Sequence, residues 1–399
     1  MVPLPAHLFG GIRVLDLTRV MSGPFCTSML ADLGAEVTKI EMPGFGEEGR
    51  HFAPHVNSES TYFALLNRGK KSVTINLKSP DGIALIHDLA RQSDVLIENF
   101  RPGVMDRLGL NLASLQADNP RLIIASISGF GQSGPFADWP AFDLVIQAMS
   151  GLMSVTGERG GRAMSVGESI ADVATGMFAA WGIAAALYDR ERTGVGRRLD
   201  VAMLDSVFSM LITGLSRRLF TDRPTRRGGN RHPETYPVDS FPTKDGDIVM
   251  VGFSDAIFRR IGEAIGQPEL ADDPRFKTNT DRNANEDELR ALISAWAANL
   301  TREQALEKLR SSDIPAAPVW SLDDLLASGH VEARGMLQPG RNGKLGDIRL
   351  VPQPVQFAAA ERIGGMTAPT LGEHTAEVLR DKLGLDDAKL AALRAAKAI

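Results

Sequence analysis

The chain has 399 residues, of which 43% are hydrophobic and 23% charged, so it is ordinary in composition and long enough for more than one globular domain. A formal net charge of −5 excludes the polybasic surface typical of nucleic-acid binding, and the single cysteine, Cys26, excludes an internal disulfide framework. The seven histidines follow no metal-binding spacing. The longest apolar run, at 177–187, is too short to span a membrane and no signal peptide is evident, so we expect a cytoplasmic protein without nucleic-acid, membrane or metal partners.

The first 130 residues alternate between strand and helix patterns. Compact apolar runs predict strands at 12–18, 36–41, 72–77, 94–99 and 121–127. Helical patterns lie between them at 24–34 and 81–92. This alternation favours an α/β fold with a doubly wound, mostly parallel sheet, whose ligands bind beyond the carboxyl ends of the strands.

The second half of the chain is mainly helical and changes in composition once. Residues 143–219 are predicted to be helical apart from a strand at 197–203, and 221–237 form a basic, proline- and glycine-rich linker. A hairpin at 241–252, helices at 257–265, 287–300 and 302–311, and two amphipathic helices from 372 onward follow. We predict a large domain at 1–225, a small α+β domain at 226–327 and a return segment at 328–399 that completes the large domain.

One carboxylate, Asp172, lies at the start of a helix that is otherwise apolar or built from small residues. On a helix, Thr175, Gly176 and Ala179 share its face, and this row of small residues is expected to leave room for a ligand. Burying an ionised carboxylate without a partner is unfavourable, so the chain needs a reason to keep it there. The alternative role is a helix N-cap, for which aspartate is a preferred residue.

Basic residues recur near the predicted strand ends. The turn after the first strand, 19–24, opens a helix whose N-terminus could hold a phosphate, although its glycine spacing is not the dinucleotide fingerprint. Cations that could converge on one edge of the sheet are Lys70, Lys71, Lys78, Arg101 and Arg107. Such a group suits an elongated anionic ligand; the alternative is a solvated positive rim.

Taken in order, these segments resemble the family III CoA-transferases, the formyl-CoA and carnitine-CoA transferase (CaiB/BaiF) type, from about Gly11 to Leu385. The matching runs are RVLDLTRVMSGPFCTSMLADLGAEVTKIE, NRGKKSVTINLKSPDG, ENFRPG, PRLIIASISGFGQSGP, FDLVIQAMSGLMSVTG, DVATGMFAAWGIAAALYDRERTGVGRRLDVAMLDSV and LGEHTAEVL. So many runs in the same order make accidental similarity improbable. The resemblance implies a Rossmann-like large domain, a smaller α+β domain and an interlaced, ring-like homodimer.

The resemblance also assigns roles to individual residues. It implies that Asp172 is the nucleophile that carries CoA as an aspartyl thioester, formed through a mixed anhydride. Positions that contact CoA in the family are here occupied by Arg19, Val20, Ser22, Ile75, Lys78, Asn99, Phe100 and Arg107. Met42 stands where some relatives carry an arginine that grips the nucleotide.

The implied activity is that of a CoA-transferase (EC 2.8.3 type). CoA moves from an acyl-CoA donor to a carboxylic acid acceptor, with CoA as a substrate rather than a tightly bound cofactor and no metal. Covalent catalysis of this kind needs water excluded from the anhydride. We expect main-chain N–H groups near the helix start to stabilise the oxyanion.

Two other functions remain open from the sequence. A 2-methylacyl-CoA racemase of the same fold needs a second acid–base group, and its usual histidine is replaced here by Phe142. His232 in the linker is either a substitute for it or a solvated residue. A CoA-binding protein without catalysis would have no need of Asp172.

The resemblance does not indicate which carboxylic acid accepts CoA. No glycine run precedes a glutamine between residues 237 and 300, as it does in some formyl-CoA transferases, which argues against formyl-CoA and oxalate as substrates. Asp143 is either a polar neighbour of Asp172 or a helix cap. A basic cluster in the linker is either an acceptor site or a solvated surface: Arg226, Arg227, Arg231 and His232.

Overall fold

The computed structural model describes residues 7–358 and 366–399. The chain divides into two compact units. The first falls within Met1–Ser150, Gly167–Met210 and Glu332–Ile399, and the second within Gly151–Val166 and Leu211–Val331. The three domain ranges expected from the sequence stay a prediction.

The strands are, in chain order, β1 (Arg13–Asp16), β2 (Glu36–Glu41), β3 (His55–Val56), β4 (Glu59–Ser60), β5 (Lys70–Thr74), β6 (Val95–Glu98), β7 (Ile123–Ser128), β8 (Arg198–Ala202), β9 (Val238–Thr243), β10 (Gly246–Val251), β11 (Ala316–Pro318), β12 (Gln338–Asn342), β13 (Gly346–Leu350) and β14 (Met366–Thr367). The helices are α1 (Ser22–Asp32), α2 (Thr61–Leu66), α3 (Pro80–Arg91), α4 (Val104–Arg107), α5 (Leu112–Asp118), α6 (Asp143–Met149), α7 (Leu152–Val155), α8 (Ile170–Thr193), α9 (Met203–Met210), α10 (Ile212–Phe220), α11 (Asp255–Ala264), α12 (Asn279–Ala284), α13 (Glu286–Ala297), α14 (Arg302–Ser311), α15 (Leu322–Ala327), α16 (His330–Ala333), α17 (Thr375–Leu383) and α18 (Asp387–Ala395).

The first unit is built on a six-stranded parallel sheet in the order β5-β2-β1-β6-β7-β8. Numbered along the chain, these strands are the third, second, first, fourth, fifth and sixth of the sheet. The order reverses between β1 and β6, where Val14 pairs with Val95. This is the place at which open α/β sheets form a ligand crevice. The α/β class and the parallel sheet expected from the sequence are confirmed.

Both faces of this sheet are buried except at the edge strand β8, which explains why inner strands such as β7 read as continuous apolar runs. On β6, Leu96 faces a core shared with α3, α17 and α18, whereas Val95 and Ile97 face a core shared with α1 and α8. The two C-terminal helices therefore pack on the sheet as their amphipathic patterns predict. Leu379 and Leu390 of these helices are fully buried.

Helix α8 is the longest helix described, and its apolar stretch is longer than the run at 177–187 that stands out in the sequence. By length and composition alone it could cross a membrane, and half of its most apolar stretch is buried inside the protein. Core helices of soluble proteins pass the same test. Helix α8 packs against α1 and against strands β7 and β8, which accounts for its small and apolar residues.

The second unit holds the antiparallel sheet β11-β10-β9 and the helices around it. Its core includes Phe241 and Ile248 from the predicted hairpin and Phe258, Leu289 and Leu309 from helices α11, α13 and α14. The hairpin begins at Val238, three residues before the predicted start. Residues 221–237, interpreted as a linker, contain no helix or strand, and all of them are described.

Residues 329–353, at the start of the predicted return segment, contain more regular structure than the sequence indicated. They hold α16 and the antiparallel pair β12–β13, and β12 also pairs with β14. These strands read QPGRN and GDIRL and hold few apolar residues, so they give no hydrophobic alternation to detect.

Candidate active site

The turn that follows β1 lies where the strand order of the sheet reverses. Asn99, directly after β6, holds this turn from the neighbouring strand. Its Nδ2 donates to the carbonyl oxygen of Arg19 at 2.8 Å, and its Oδ1 accepts from the Arg19 N–H at 3.0 Å. The guanidinium of Arg19 lies 5.0 Å from the centre of the Phe100 ring. Three sequence-predicted site residues are thus brought together at the crevice.

Asp172 is the third residue of α8, and the N-cap position belongs to Ser169. The alternative role of Asp172 as an N-cap is therefore wrong. The side chain of Asp143 caps the N-terminus of α8 instead, because its Oδ1 accepts from the N–H groups of Ala171 at 2.8 Å and Asp172 at 3.4 Å. Asp143 is thus both a neighbour of Asp172 and a helix cap.

The surroundings of Asp172 raise its pKa to about 6. Burial is the largest cause, and the carboxylate of Asp143 adds a like charge. The hydroxyl and the main-chain N–H of Ser22 act in the opposite direction by hydrogen bonding to the carboxylate. The carboxyl group consequently ionises below neutral pH but keeps more basicity than an exposed aspartate.

The hydrogen-bond donors that could stabilise an oxyanion belong to α1 and not, as expected, to α8. The first N–H groups of α8 are engaged by Asp143, so the expectation that they stabilise an oxyanion is wrong. The start of α1 faces Asp172 instead, through the N–H and hydroxyl of Ser22. A helix N-terminus carries unsatisfied donors and a positive dipole end, which suits a developing negative charge.

The row of small residues after Asp172 accommodates helix α1 rather than a ligand. A Cβ added to Gly176 would lie 2.7 Å from the carbonyl oxygen of Ser22, and Thr175 and Ala179 are fully buried. The expected space beside Asp172 is therefore not on this face. Small residues are needed there because α1 and α8 approach closely.

A cleft of about 420 Å³ opens at Asp172, and we call it the Asp172 cleft. It is lined by the β1–α1 turn, by the residues after β6 and β7, and by several aromatic side chains. Its lining includes Arg19, Val20, Ser22, Phe52, Asn99, Phe100, Arg101, Gly129, Trp139, Phe142, Asp172 and Met203. The exposed ring of Phe142 lines this cleft, and a phenyl ring exchanges no proton.

A second cleft of about 320 Å³ lies at the carboxyl ends of β1, β2 and β5, and we call it the Lys78 cleft. Its lining includes Arg19, Met42, Phe45, Glu47, Glu48, Ile75, Lys78, Phe100, Val104 and Leu108. Arg19, Glu48 and Phe100 line both clefts, so the two clefts meet at the β1–α1 turn. Lys78 is exposed at the rim and forms no ion pair within the described part of the chain.

Lys70 and Lys71 do not belong to this cationic rim. The ammonium of Lys70 is fully buried and bonds to Asp16 at 3.2 Å and Asn67 at 2.7 Å. Lys71 pairs with Glu377 of α17 at 2.9 Å. The expectation that both help bind an anion is wrong, because a sequence does not show that each lysine has an acidic partner distant in the chain.

Asp16 is the centre of a buried polar network beneath the turn. Its carboxylate accepts from the hydroxyls of Thr18 at 2.5 Å and Thr27 at 2.6 Å, and pairs with Lys70. Burial alone would raise its pKa, but Lys70, then Lys39, and the two hydroxyls lower it to about 2. This charge is fully partnered and has a structural role.

Comparison with known proteins identifies the family. The family model described as CoA-transferase family III matches residues 9–375. The chain belongs to CoA-transferase family III. An acetyl-CoA:oxalate CoA-transferase from Acetobacter aceti is 42% identical over 390 residues, 96% of this chain and 98% of that protein. A succinate–glutarate CoA-transferase from Agrobacterium fabrum is 37% identical over 380 residues, 93% and 94% of the two chains.

A solved structure supports the same conclusion. A CaiB/BaiF family protein from Brucella suis has a TM-score of 0.84 at 34% identity, covering 94% of this chain and 99% of that one. The resemblance stated from the sequence motifs is confirmed, as is the assignment of the chain to CoA-transferase enzymes.

The remaining residues predicted to contact CoA in this family III member differ in position: some line one of the two clefts, one belongs to the core, and one is exposed beside a cleft. Val20 and Ser22 line the Asp172 cleft, and Lys78 lines the other. Ile75 also lines the Lys78 cleft, but its side chain is only 1% exposed and belongs to the core. Arg107 ends α4 and is exposed, and its neighbour Leu108 lines the Lys78 cleft.

The basic cluster of the linker is mostly engaged by the protein itself. Arg231 pairs with Glu286 at 2.9 Å and Asp287 at 2.8 Å, and Arg227 donates to the carbonyl oxygen of Gly161 at 2.8 Å. These contacts favour a structural role over an acceptor site. Among the described residues, no group of three or more acidic, histidine or cysteine side chains could hold a metal ion.

Sequence reasoning missed several residues of the Asp172 cleft. Gly129 directly follows β7, so the rule that ligands bind beyond the carboxyl ends of parallel strands could have found it. Arg101, one of the cations singled out in the sequence, lines this cleft as well. Phe52 had no such signal, and neither did Tyr62, which does not line the cleft. Tyr62 lies close enough to Asp172 and Glu47 for their charges to raise its pKa, after burial as the main cause.

Proposed function

We propose that the protein transfers CoA from an acyl-CoA thioester to a carboxylic acid through a covalent intermediate on Asp172. The observation that carries this proposal is the state of that carboxylate. It lines a cleft, has an elevated pKa of about 6, and forms no ion pair within the described residues. An accessible carboxylate without a cationic partner is unfavourable for stability and suited to nucleophilic attack.

The first half of the reaction loads CoA onto the protein. An oxygen of Asp172 attacks the thioester carbonyl of the donor and expels CoA thiolate, which leaves a mixed anhydride. The thiolate then attacks the aspartyl carbonyl of that anhydride. The donor acid leaves as its carboxylate, and Asp172 carries CoA as a thioester.

The second half reverses these steps with the acceptor. The acceptor carboxylate attacks the aspartyl thioester and expels CoA thiolate, giving a new mixed anhydride. The thiolate attacks the acceptor carbonyl, which forms the new acyl-CoA and restores the Asp172 carboxylate. None of these steps transfers a proton, so the reaction requires no second acid–base group beside Asp172. The presence of Phe142 in the lining of the Asp172 cleft is consistent with this.

The two clefts suit the two parts of CoA. The nucleotide would occupy the Lys78 cleft, with Lys78 and Arg107 near its phosphates and Met42 in place of a further arginine. The pantetheine arm would pass the turn at Arg19 and Phe100, which line both clefts, and bring its sulfur to Asp172. The start of α1 at Ser22 would stabilise the oxyanion of each tetrahedral intermediate.

The proposed acceptors are small dicarboxylic acids. The two relatives described above are named for oxalate and for succinate and glutarate, which share this chemistry. Arg101, a lining residue of the Asp172 cleft, could pair with the carboxylate that does not react. The missing glycine run argues against oxalate, so oxalate and glutarate are both needed in the test.

The proposal also includes an interlaced homodimer located in the cytoplasm. Met177, Trp181 and Tyr188 place an exposed apolar stripe along α8, with Trp181 72% exposed, which favours burial against a second copy. Sedimentation equilibrium should give twice the chain mass of 43.0 kDa. A monomer at micromolar concentration would contradict this part.

The activity is tested with a panel of defined substrates. Acetyl-CoA, succinyl-CoA and formyl-CoA serve as donors, and oxalate, succinate, glutarate and acetate as acceptors, with acyl-CoA products followed by mass spectrometry. Asp172→Asn should lower kcat by at least about a thousandfold while the affinity for CoA, measured by calorimetry, is retained. Retained affinity with lost turnover separates a transferase from a protein that only binds CoA.

The matched control changes an aspartate on the same helix. Asp189→Asn removes a partly buried carboxylate paired with Arg197, roughly 25 Å along α8 from Asp172. This variant should keep wild-type turnover. Equal turnover in wild-type protein and Asp172→Asn would overturn the proposal.

A further inference from the structure

Val20, in the turn between β1 and α1, has a left-handed backbone conformation with φ of 68°. A β-branched residue rarely adopts this conformation, because its side chain collides with the backbone. Such strain persists only where the surrounding structure holds it in place, and it clusters at functional sites. The contacts of Val20 therefore show what fixes the turn.

Glu47 supplies the contact that holds Val20. Its Oε2 accepts from the N–H of Val20 at 2.9 Å and from the N–H of Gly49 at 2.7 Å. The carboxylate is 5% exposed, and its Oε1 lies 3.6 Å from the ammonium of Lys39. The same ammonium donates to the carbonyl oxygen of Thr18 at 2.7 Å, so one ion pair engages the turn on both sides of Arg19.

The turn is fixed from a third direction by the two hydrogen bonds of Asn99 to the backbone of Arg19. The residues after Val20 open helix α1, and Ser22 is the first of them within the helix. Ser22 is 4% exposed, and it lines the Asp172 cleft together with Val20 and Asp172. The backbone conformation of Val20 thus decides where the start of α1 points.

We propose that Glu47 is a positioning residue, which holds Val20 in its left-handed conformation and thereby aims the start of α1 at Asp172. This inference rests on the proposed function, in which Asp172, the hydrogen-bond partner of Ser22, is the nucleophile. Glu47 itself does not reach Asp172 in this role; it acts through the main chain of the turn.

The strain at Val20 gives the inference a specific test. Without the carboxylate of Glu47, Val20 would relax to negative φ and turn the α1 start away from Asp172. Glycine adopts positive φ without strain. With glycine at position 20, the turn should therefore keep its positive φ even without the carboxylate of Glu47.

The experiment is a double-mutant cycle on kcat, with the donor and acceptor that give the highest turnover in the panel above. Glu47→Ala should lower kcat by about tenfold or more in the wild-type background. In the Val20→Gly background the same change should lower kcat by about twofold at most. Glu47→Gln, which keeps an acceptor oxygen, should lose less than Glu47→Ala. Equal factors in both backgrounds would overturn the inference.

Asp32→Asn is the control for a general loss of stability. Asp32 forms a buried ion pair with Arg68 at the other end of α1. Its effects on melting temperature and kcat should be the same in both backgrounds, because its side-chain contacts among the described residues, with Arg68 and Gln353, do not involve the turn.

A structural measurement decides the inference if a variant turns over too slowly to measure or fails to fold. In a crystal structure of Glu47→Ala, or of Glu47→Leu if the alanine variant fails to fold, Val20 should leave the left-handed region, because neither side chain can accept from its N–H. Val20 retained near 68° in that structure would contradict the inference. Loss of the proposed function itself would appear differently, as full turnover by Asp172→Asn.

Discussion

Two aspartates of the first unit, Asp16 and Asp172, show opposite uses of a buried carboxylate. Asp16 is fully buried and is met by Lys70, Lys39 and two hydroxyl groups, which bring its pKa to about 2. Asp172 is partly buried, faces the like charge of Asp143, and has a pKa of about 6. Both lie close to helix α1, since Thr27 of that helix bonds to Asp16 and Ser22 to Asp172.

The difference between them separates a structural charge from a reactive one. The network of Asp16 stabilises its ionised form, so removal of this carboxylate should destabilise the fold. The surroundings of Asp172 disfavour its ionised form, so removal of this carboxylate should stabilise the fold and abolish the proposed chemistry. Active sites commonly sacrifice stability in this way.

The largest expected effect on stability is at Asp16. Asp16→Asn leaves Lys70 buried without its anion, so the free energy of unfolding at pH 7.5 should fall by about 3 kcal/mol. Urea denaturation followed by circular dichroism measures this change. An unchanged unfolding midpoint would show that the network does not stabilise the fold and would contradict the structural role assigned to Asp16.

At Asp172 the sign should be reversed. Its pKa is raised from 3.8 to about 6 in the folded state, so ionisation above pH 6 destabilises the fold, and below pH 3.8 both states are protonated. Asp172→Asn should therefore raise the free energy of unfolding by about 2 kcal/mol at pH 7.5. The gain should disappear below about pH 4. A loss of stability at pH 7.5 would contradict the account of this carboxylate.

The neighbour Asp143 should control the pH dependence of turnover. Only the ionised form of Asp172 attacks, so kcat/KM should fall as pH drops through about 6. Asp143→Asn removes the like charge and keeps an acceptor oxygen for the N–H of Ala171. The acidic limb of the pH–rate profile should move to lower pH, and movement to higher pH would be inconsistent with this role.

Ser22 should have the smallest effect, in the opposite direction. Ser22→Ala removes the hydroxyl that stabilises the ionised carboxylate and leaves the main-chain N–H in place. The acidic limb should move to higher pH by less than Asp143→Asn moves it downward. A downward shift would mean that the hydroxyl does not donate to Asp172.

The fold was predictable where local patterns are strong. Strands buried on both faces gave apolar runs such as 36–41, which coincides with β2, and helix α14 was predicted at its observed limits. Strand β5 begins two residues before the predicted start, because Lys70 and Lys71 read as polar flanks although Lys70 is buried. The hairpin β12–β13 gave no signal, because its burial depends on neighbours distant in the chain.

The site was predictable only in part for a similar reason. Asp172 stood out by its apolar context and by the family motifs, and the expected parallel sheet indicated only that ligands bind beyond the carboxyl ends of its strands. Both roles considered for Asp143 are observed, whereas the role of Glu47 depends on contacts with a segment distant in the sequence, which a local pattern does not contain. The small residues after Asp172 were misinterpreted, because close packing of two helices and space for a ligand leave the same sequence signature.

The central claim is that the Asp172 carboxylate becomes bonded to CoA during turnover. Intact-protein and peptide mass spectrometry after rapid quenching with a competent acyl-CoA, without acceptor, tests it directly. The account predicts the mass of a CoA thioester on the peptide that contains Asp172, and its disappearance when the acceptor acid is added. Steady turnover with no such adduct at Asp172, or with the adduct on another residue, would contradict it.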